Sequence, residues 1–164
     1  MAEDFDSPWG TPIIVRVTPA DGKQWIGKFQ AGGLGGVTGC FACPSPTDLC
    51  VVADGLAYLV NVTAPSLGAS AVKQQIMQVV RVEVLPLFLL VSWTNILAIG
   101  ESGVAWRTAR IALDDLRVEV ADARAIVCTG DMLGHPPRLE LSPATGEQIG
   151  GTRFDSFWPP DATA

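Results

Sequence analysis

Apolar and polar residues alternate in short runs near the start of the chain, and turn residues separate the runs. Residues 13–17 alternate strictly, residues 18–22 read Thr-Pro-Ala-Asp-Gly, and the alternation resumes over residues 25–29. A period of two predicts a strand with one buried face, and an Asp-Gly turn supplies the left-handed backbone that a hairpin needs. The pattern therefore predicts a β-hairpin in this region.

This first hairpin has a counterpart near the other end of the chain. Residues 15–30 (VRVTPADGKQWIGKFQ) align without a gap with residues 139–154 (LELSPATGEQIGGTRF), 124 positions later. The turn glycines Gly22 and Gly146 coincide in this alignment. Self-similarity at a fixed spacing is typical of repeat proteins, so we predict two hairpins of one design that bracket the chain.

Two more hairpins are predicted between these ends. Residues 49–58 and residues 96–106 both finish with Gly, an aliphatic residue, Ala and an aromatic residue. The turn glycines at positions 22, 55, 103 and 146 are separated by 33, 48 and 43 residues, which we interpret as three periods. Their average of about 41 residues is the length of a four-stranded propeller blade.

Strand-like sequence fills most of the intervals between the hairpins. It covers residues 37–42, 80–84, 88–93, 117–121 and 124–129. The exception is the segment 70–79, where Val72, Ile76 and Val79 have helical spacing. This segment is compatible with a short helix, although ten residues without a clear cap make a marginal one.

The most apolar segment, residues 84–99, is shorter than the roughly 20 residues that a membrane-spanning helix needs. It also contains Pro86 and a Trp-Thr-Asn sequence at residues 93–95. We therefore predict two buried strands joined by a turn, and no membrane association.

One hairpin resembles a known class of repeat. Leu139, Leu141, Thr145 and Gly146 are similar to the tight hairpin of quinoprotein-type β-propeller repeats, in which an apolar strand enters a Thr-Gly turn. The resemblance implies architecture and carries no cofactor residues. We predict an all-β fold of repeated antiparallel hairpins forming a propeller-like partial array, with a β-sandwich or barrel as the alternative.

Composition sets the size and the class of the protein. The 164 residues are 48% hydrophobic and 17% charged, which predicts a folded chain. We expect a flexible segment over residues 1–11, a single β-rich domain of about three repeat units over residues 12–157, and a tail over residues 158–164. The acidic start does not resemble a signal peptide, so we expect a cytoplasmic protein. A net charge of −6 disfavours nucleic acid as a partner.

The cysteines offer a candidate metal site. Cys40 and Cys43 form a C-x-x-C pair followed by Cys50, and Cys128 and His135 lie far along the chain. A zinc ribbon needs a second close pair of ligands, which is missing here. We expect buried, inert thiols, with neither a metal nor a cofactor; the alternative is a zinc site made by Cys40, Cys43, Cys50 and Cys128 or His135.

His135 and Asp131 are close in sequence, and a histidine beside a carboxylate can act as a general base. The chain has no Gly-x-Ser-x-Gly nucleophile motif to accompany them. Trp93 would complete a binding pocket if it lay near both residues. Trp25 and Trp106 are predicted to pack in the core.

Three units are fewer than the four to eight blades of a closed propeller, so the ends of the array must be covered. We therefore expect a non-enzymatic β-repeat module that mediates protein interaction or self-assembly, as a homo-oligomer or with a protein partner. The alternative is a small-molecule-binding protein or hydrolase-like enzyme with a pocket near Asp131 and His135.

Overall fold

The computed structural model describes residues 11–131 and 138–152, and antiparallel strands make up nearly all of their regular structure. This confirms the all-β prediction. The strands are β1 (Ile13–Val17), β2 (Trp25–Phe29), β3 (Gly39–Ala42), β4 (Asp48–Ala53), β5 (Leu56–Asn61), β6 (Ala69–Val72), β7 (Ile76–Val82), β8 (Leu87–Ser92), β9 (Ile96–Gly100), β10 (Gly103–Arg107), β11 (Asp114–Ala121), β12 (Ile126–Asp131), β13 (Arg138–Leu141) and β14 (Gln148–Gly151). A single 3-10 turn, Pro65–Leu67, lies between β5 and β6.

The strands form four open sheets in which each strand pairs with its neighbour in sequence. Three sheets have four strands, in the orders β3-β4-β5-β6, β10-β9-β8-β7 and β11-β12-β13-β14. Among the residues that the structure describes, the first sheet has two strands, β1 and β2, paired in register from Ile13 opposite Phe29 to Val17 opposite Trp25. The predicted antiparallel hairpins are therefore confirmed.

The turn glycines adopt the conformation that the sequence predicts. Gly22 has a φ of 75° and Gly146 a φ of 71°, in the left-handed region where a side chain is strained. The amide of Gly22 donates to the Pro19 carbonyl at 2.9 Å, which closes the first turn. These two hairpins share their sequence pattern and the left-handed glycine, but the turns close differently, because the Gly146 amide donates to the Ser142 carbonyl, at 2.8 Å, four residues before it.

Two predictions about the middle of the chain are corrected. Gly55 joins the second and third strands of its sheet, whereas Gly103 joins the third and fourth, so residues 49–58 and 96–106 are not equivalent hairpins. This difference explains why the glycine spacings of 33 and 48 residues are so unequal. The helix considered over residues 70–79 does not form, because these residues belong mainly to β6 and β7.

The apolar segment 84–99 forms the buried strands β8 and β9, joined at residues 93–95 as predicted. Among the residues that the structure describes, no helix is long and apolar enough to cross a membrane.

The chain divides into two compact units, residues up to Met77 and residues from Gln78, and the division falls within β7. In the first unit, the β1–β2 sheet packs on the β3–β6 sheet through a cluster that includes Phe29, Val51 and Val60. The Tyr58 hydroxyl donates to the Gln30 carbonyl at 2.9 Å, next to the tilted contact between the Tyr58 and Phe29 rings.

In the second unit, the sheet containing β8 and β9 packs on the β11–β14 sheet. Leu89, Ile96, Leu116 and Leu139 contribute to this core, and all four are at most 1% exposed. The Gln78 amide joins the two sheets, because its oxygen accepts from the Val118 amide at 2.8 Å and its nitrogen donates to the Val118 carbonyl at 3.0 Å. The pairing of sheets in this unit is therefore both apolar and hydrogen-bonded.

The same tryptophan contact occurs once in each unit. The indole of Trp25, on β2, donates to the Val62 carbonyl at 3.0 Å, and the indole of Trp106, on β10, donates to the Pro143 carbonyl at 2.8 Å. Both acceptors lie 37 residues after their tryptophan and just beyond the third strand of the following sheet. Trp25 and Trp106 therefore occupy equivalent places in the repeat.

This equivalence identifies β1 and β2 as the third and fourth strands of a sheet. Trp106 lies on the fourth strand of its sheet, so Trp25 and β2 take that position as well. The third strands of the four sheets then begin at residues 13, 56, 96 and 138, at intervals of 43, 40 and 42 residues. The first and second strand positions of the first sheet are not filled by any residue that the structure describes.

Candidate interaction surface

One edge of β1 has no partner strand among the described residues, whereas the third strand of each of the other three sheets is paired on both sides. In those sheets the third strand is bonded on both sides, for example β9 between β8 and β10. β1 pairs with β2 alone within residues 11–131 and 138–152. An edge with unpaired N–H and C=O groups is a template for another strand.

The outer face of the first sheet is apolar and basic. Ile14 is 73% exposed and Ile26 is 65% exposed, and Arg16 and Lys28 lie exposed on the same face. Their neighbours in β1, such as Val15, point to the opposite face and pack toward the core of the first unit. Exposed isoleucines on a regular strand surface mark a contact site more often than isolated apolar residues do.

The outer face of the β11–β14 sheet has a different character. Arg117 is bound to Asp115 at 3.0 Å, and the Thr129 hydroxyl donates to Glu119 at 2.9 Å. Arg138 lies 4.0 Å from Glu140 on the same strand, β13. The β11–β14 sheet also exposes Val120 and Ile149, but less than the first sheet exposes Ile14 and Ile26, so the first sheet is the better candidate for a contact surface.

Two residues of the predicted pocket lie close to one short segment. The Trp93 carbonyl accepts from the Leu116 amide at 3.1 Å, and the Asp131 carbonyl accepts from the Leu113 amide at 2.9 Å. Trp93 is 38% exposed, and Asp131 is an exposed residue at the end of β12, opposite Asp114. Residues 113–116 therefore separate Trp93 from Asp131, while His135 lies outside the described residues.

The acidic pair at the start of β11 has a local explanation. The Asp115 amide donates to the Asp114 carboxylate at 2.8 Å, and Asp115 has a φ of 49°. Its carboxylate accepts two hydrogen bonds from the Arg117 guanidinium, at 3.1 and 3.0 Å. These contacts shape the β-bulge in which β11 departs from regular pairing.

The cysteines are separate from this region and differ among themselves. Cys40 is exposed, whereas Cys43, Cys50 and Cys128 are buried, and none forms a disulfide. Burial and the charge of Asp48 raise the pKa of Cys43 to about 11. Burial, followed by the charge of Glu119, raises the pKa of Cys128 to about 12. Such thiols are protonated and unreactive near neutral pH.

No group of three or more His, Cys, Asp or Glu side chains suited to a metal ion occurs in the described part of the chain. Cys128 packs in the core of the second unit beside Leu116 and Leu139, and Cys50 lies in β4 of the first unit. His135, the other predicted ligand, is outside the described ranges.

A shallow cavity of about 340 Å³ lies beside the connection between β5 and β6. Asp48, Asn61 and Leu67 line part of it, and Leu67 is 82% exposed. The Asn61 carboxamide oxygen is already occupied, because it accepts from Thr63 and from the Ala64 amide. The volume is at the lower limit of small-molecule pockets, and Asp48 is the only charged residue that lines it.

Comparisons with protein families, with curated proteins and with solved structures found no match to this chain. The resemblance to quinoprotein-type repeats therefore stays a prediction about architecture. The incomplete first sheet is the strongest functional feature that the described residues provide.

Sequence reasoning found the first hairpin but missed its position within a sheet. The signal was present in the tryptophans, since Trp25 and Trp106 each follow a turn glycine by three residues. Aligning Gly22 with Gly103, 81 residues later, identifies both hairpins as third and fourth strands. Taking Gly55 as the turn glycine that follows Gly22 in the repeat hides the equivalence of Gly22 and Gly103.

Proposed function

We propose that the protein is a non-enzymatic β-repeat module that associates with a second copy of itself through its first sheet, in a propeller-like array. The observation that carries the proposal is that the first sheet has two strands among the described residues, whereas each of the other three sheets has four. Its open edge and the exposed Ile14 and Ile26 supply backbone hydrogen bonds and apolar area for a contact.

The four cysteines are free thiols, which agrees with a reducing compartment. We therefore place the module in the cytoplasm, where a self-assembling β-protein needs no disulfides to be stable.

The mass of the full chain in solution tests the proposal. Light scattering over a concentration series should show species larger than the 17.3 kDa monomer. Ile14→Asp puts a charge into the proposed apolar contact and should weaken association at least about tenfold. Val104→Asp changes a similarly exposed apolar residue outside the first sheet, so it serves as the control and should leave the mass unchanged. A monomer at every concentration would reject self-assembly.

A second candidate function is a small-molecule-binding protein or hydrolase-like enzyme with a pocket near Asp131 and His135. The specific observation in its favour is that Trp93 and Asp131 both bond to the backbone of residues 113–116. Hydrolysis of p-nitrophenyl acetate by the full chain provides the test, with Asp131→Asn and His135→Ala as variants. A rate that equals the buffer background, or that neither variant changes, would remove this candidate.

A further inference from the structure

The first and the last sheet expose opposite sides. In each unit one sheet packs on the next in sequence, β1–β2 on β3–β6 and the sheet of β8 and β9 on β11–β14. The side of the first sheet that carries Val15 therefore meets a following sheet, and the side that carries Ile14 is exposed. In the last sheet, Leu139 is buried against a preceding sheet and Glu140 points away from it, because side chains alternate along a strand. The two exposed sides are those on which a preceding and a following sheet would pack.

A row of residues crosses the exposed side of the last sheet. Val120 lies opposite Val127, Val127 opposite Glu140, and Glu140 opposite Gly150, so the four share one face. Val120 is 49% exposed and Val127 is half-buried. A Cβ added at Gly150 would lie 2.8 Å from a carboxylate oxygen of Glu140, so this carboxylate lies over the glycine. The row therefore combines exposed apolar area with one negative charge.

The exposed side of the first sheet complements this row. Arg16 lies opposite Ile26, and both are exposed on the face that also carries Ile14. Strands β1 and β2 contain no Asp or Glu, so a contact between the first sheets of two copies would bring Arg16 of both together without a carboxylate from these strands. The row on the last sheet instead offers valines to the isoleucines and Glu140 to Arg16. Complementary charges favour this pair of surfaces over two copies of the first.

We propose that the exposed side of the β1–β2 sheet of one copy packs on the exposed side of the β11–β14 sheet of another, in a head-to-tail contact. The inference rests on the proposed self-association and names the surface that the first sheet meets. Both units already pack a sheet on the one that follows it, so the contact repeats an arrangement that the chain uses within itself. A head-to-tail contact uses a different surface on each copy, so assembly continues beyond a dimer until a ring closes.

Two matched variants and their mixture test the contact by light scattering. Ile14→Asp alters the first sheet and Val120→Asp the last, and each places a carboxylate in the apolar part of the contact. Each variant alone should associate at least about tenfold more weakly than the unaltered chain. An equimolar mixture should recover a one-to-one dimer, because the unaltered last sheet of one variant can pack on the unaltered first sheet of the other. Val104→Asp is the control and should assemble like the unaltered chain.

The outcomes separate this inference from the proposed function. If Ile14→Asp weakened assembly and Val120→Asp left it unchanged, the head-to-tail contact would be overturned, while self-association through the first sheet would stand. A mixture of the two variants that stayed monomeric would also overturn the contact, provided that urea denaturation shows both variants to be folded. An unaltered chain that is monomeric at every concentration would reject the proposed self-association, and the contact with it.

Discussion

The two units of the chain use the same tryptophan contact but differ in how completely their sheets are formed. Trp106 is 8% exposed and lies between two four-stranded sheets. Trp25 makes the equivalent hydrogen bond but is only half-buried, and its sheet has two strands. The hydrogen bond of the tryptophan is therefore the same in both units, while the burial of its ring differs.

The comparison shows that neighbouring strands, more than local sequence, determine burial. β9 is a third strand inside a complete sheet, and four of its five residues are buried. β1 is a third strand at an edge, and its residues alternate between half-buried and exposed. The outer face of β1 is exposed and no second described strand pairs with it, and this is why we place the proposed contact on the first sheet.

The largest expected effect comes from the turn glycine of the complete unit. In Gly146→Val, the added side chain meets the Trp106 ring and must adopt a positive φ, so we expect a loss of about 3 kcal/mol or more in the free energy of unfolding. Gly22→Val is the matched variant, because Gly22 has a similar φ but a Cβ added there would have no atom within 4 Å. It should lose about 1 kcal/mol, from backbone strain alone. Urea denaturation measures both values.

Equal losses in the two glycine variants would contradict the difference between the units. They would mean that the turn of residues 142–147 does not pack on Trp106 in solution, or that the first hairpin is covered as fully as the last.

A smaller effect is expected when the indole nitrogen is removed. Trp106→Phe deletes the hydrogen bond to the Pro143 carbonyl in a buried site and leaves unfilled volume, which should cost about 2 kcal/mol. Trp25→Phe removes the equivalent bond in a half-buried site, where water can replace it, and should cost about 1 kcal/mol. Thermal denaturation of both variants compares them directly, and a larger loss for Trp25→Phe would reverse the ranking of the two contacts.

The fold class was predictable because alternation and turn chemistry are local signals. Residues 13–29 contain a complete hairpin signal, and the structure places β1, β2 and the left-handed Gly22 there. The segment 70–79 was harder to interpret, because Val72, Ile76 and Val79 fit a helical period. Pairing of β6 with β5 decides the outcome, and such pairing between strands is not visible in a short window of sequence.

The candidate site was less predictable than the fold. The alternation predicts that Ile14 lies in a strand, but its exposure depends on what packs on the outer face of the first sheet. Trp93 and Asp131 were grouped by their chemistry, and the structure shows that both bond to residues 113–116 through backbone atoms. The position of a strand within its sheet is found by comparing repeat units that lie tens of residues apart. Composition and the local period of apolar residues do not contain that information.

The smallest expected effect compares two buried thiols at equivalent positions. Cys50 is the third residue of β4 and Cys128 the third residue of β12, both second strands. Burial raises the pKa of each to about 12 from an ordinary value of 9.0, with Cys43 and Cys40 adding to the shift at Cys50. The folded protein therefore keeps both thiols protonated at a pH where the unfolded chain has lost those protons.

Stability should consequently be insensitive to these thiols below pH 9 and fall as the pH rises from 9 toward 12, by up to about 1.4 kcal/mol per pH unit for each thiol. Cys50→Ala and Cys128→Ala should each remove one share of this slope, measured by urea denaturation between pH 8 and about 10.5. Cys40→Ala should change the slope least, because Cys40 is exposed and is the last of the causes that raise the pKa of Cys50. Similar reductions are expected, because the two second strands are buried alike at these positions. If only Cys128→Ala reduced the slope, the Cys50 side chain on β4 would be open to water in solution. The first unit would then be less protected from water than the second in its core as well as on its outer face.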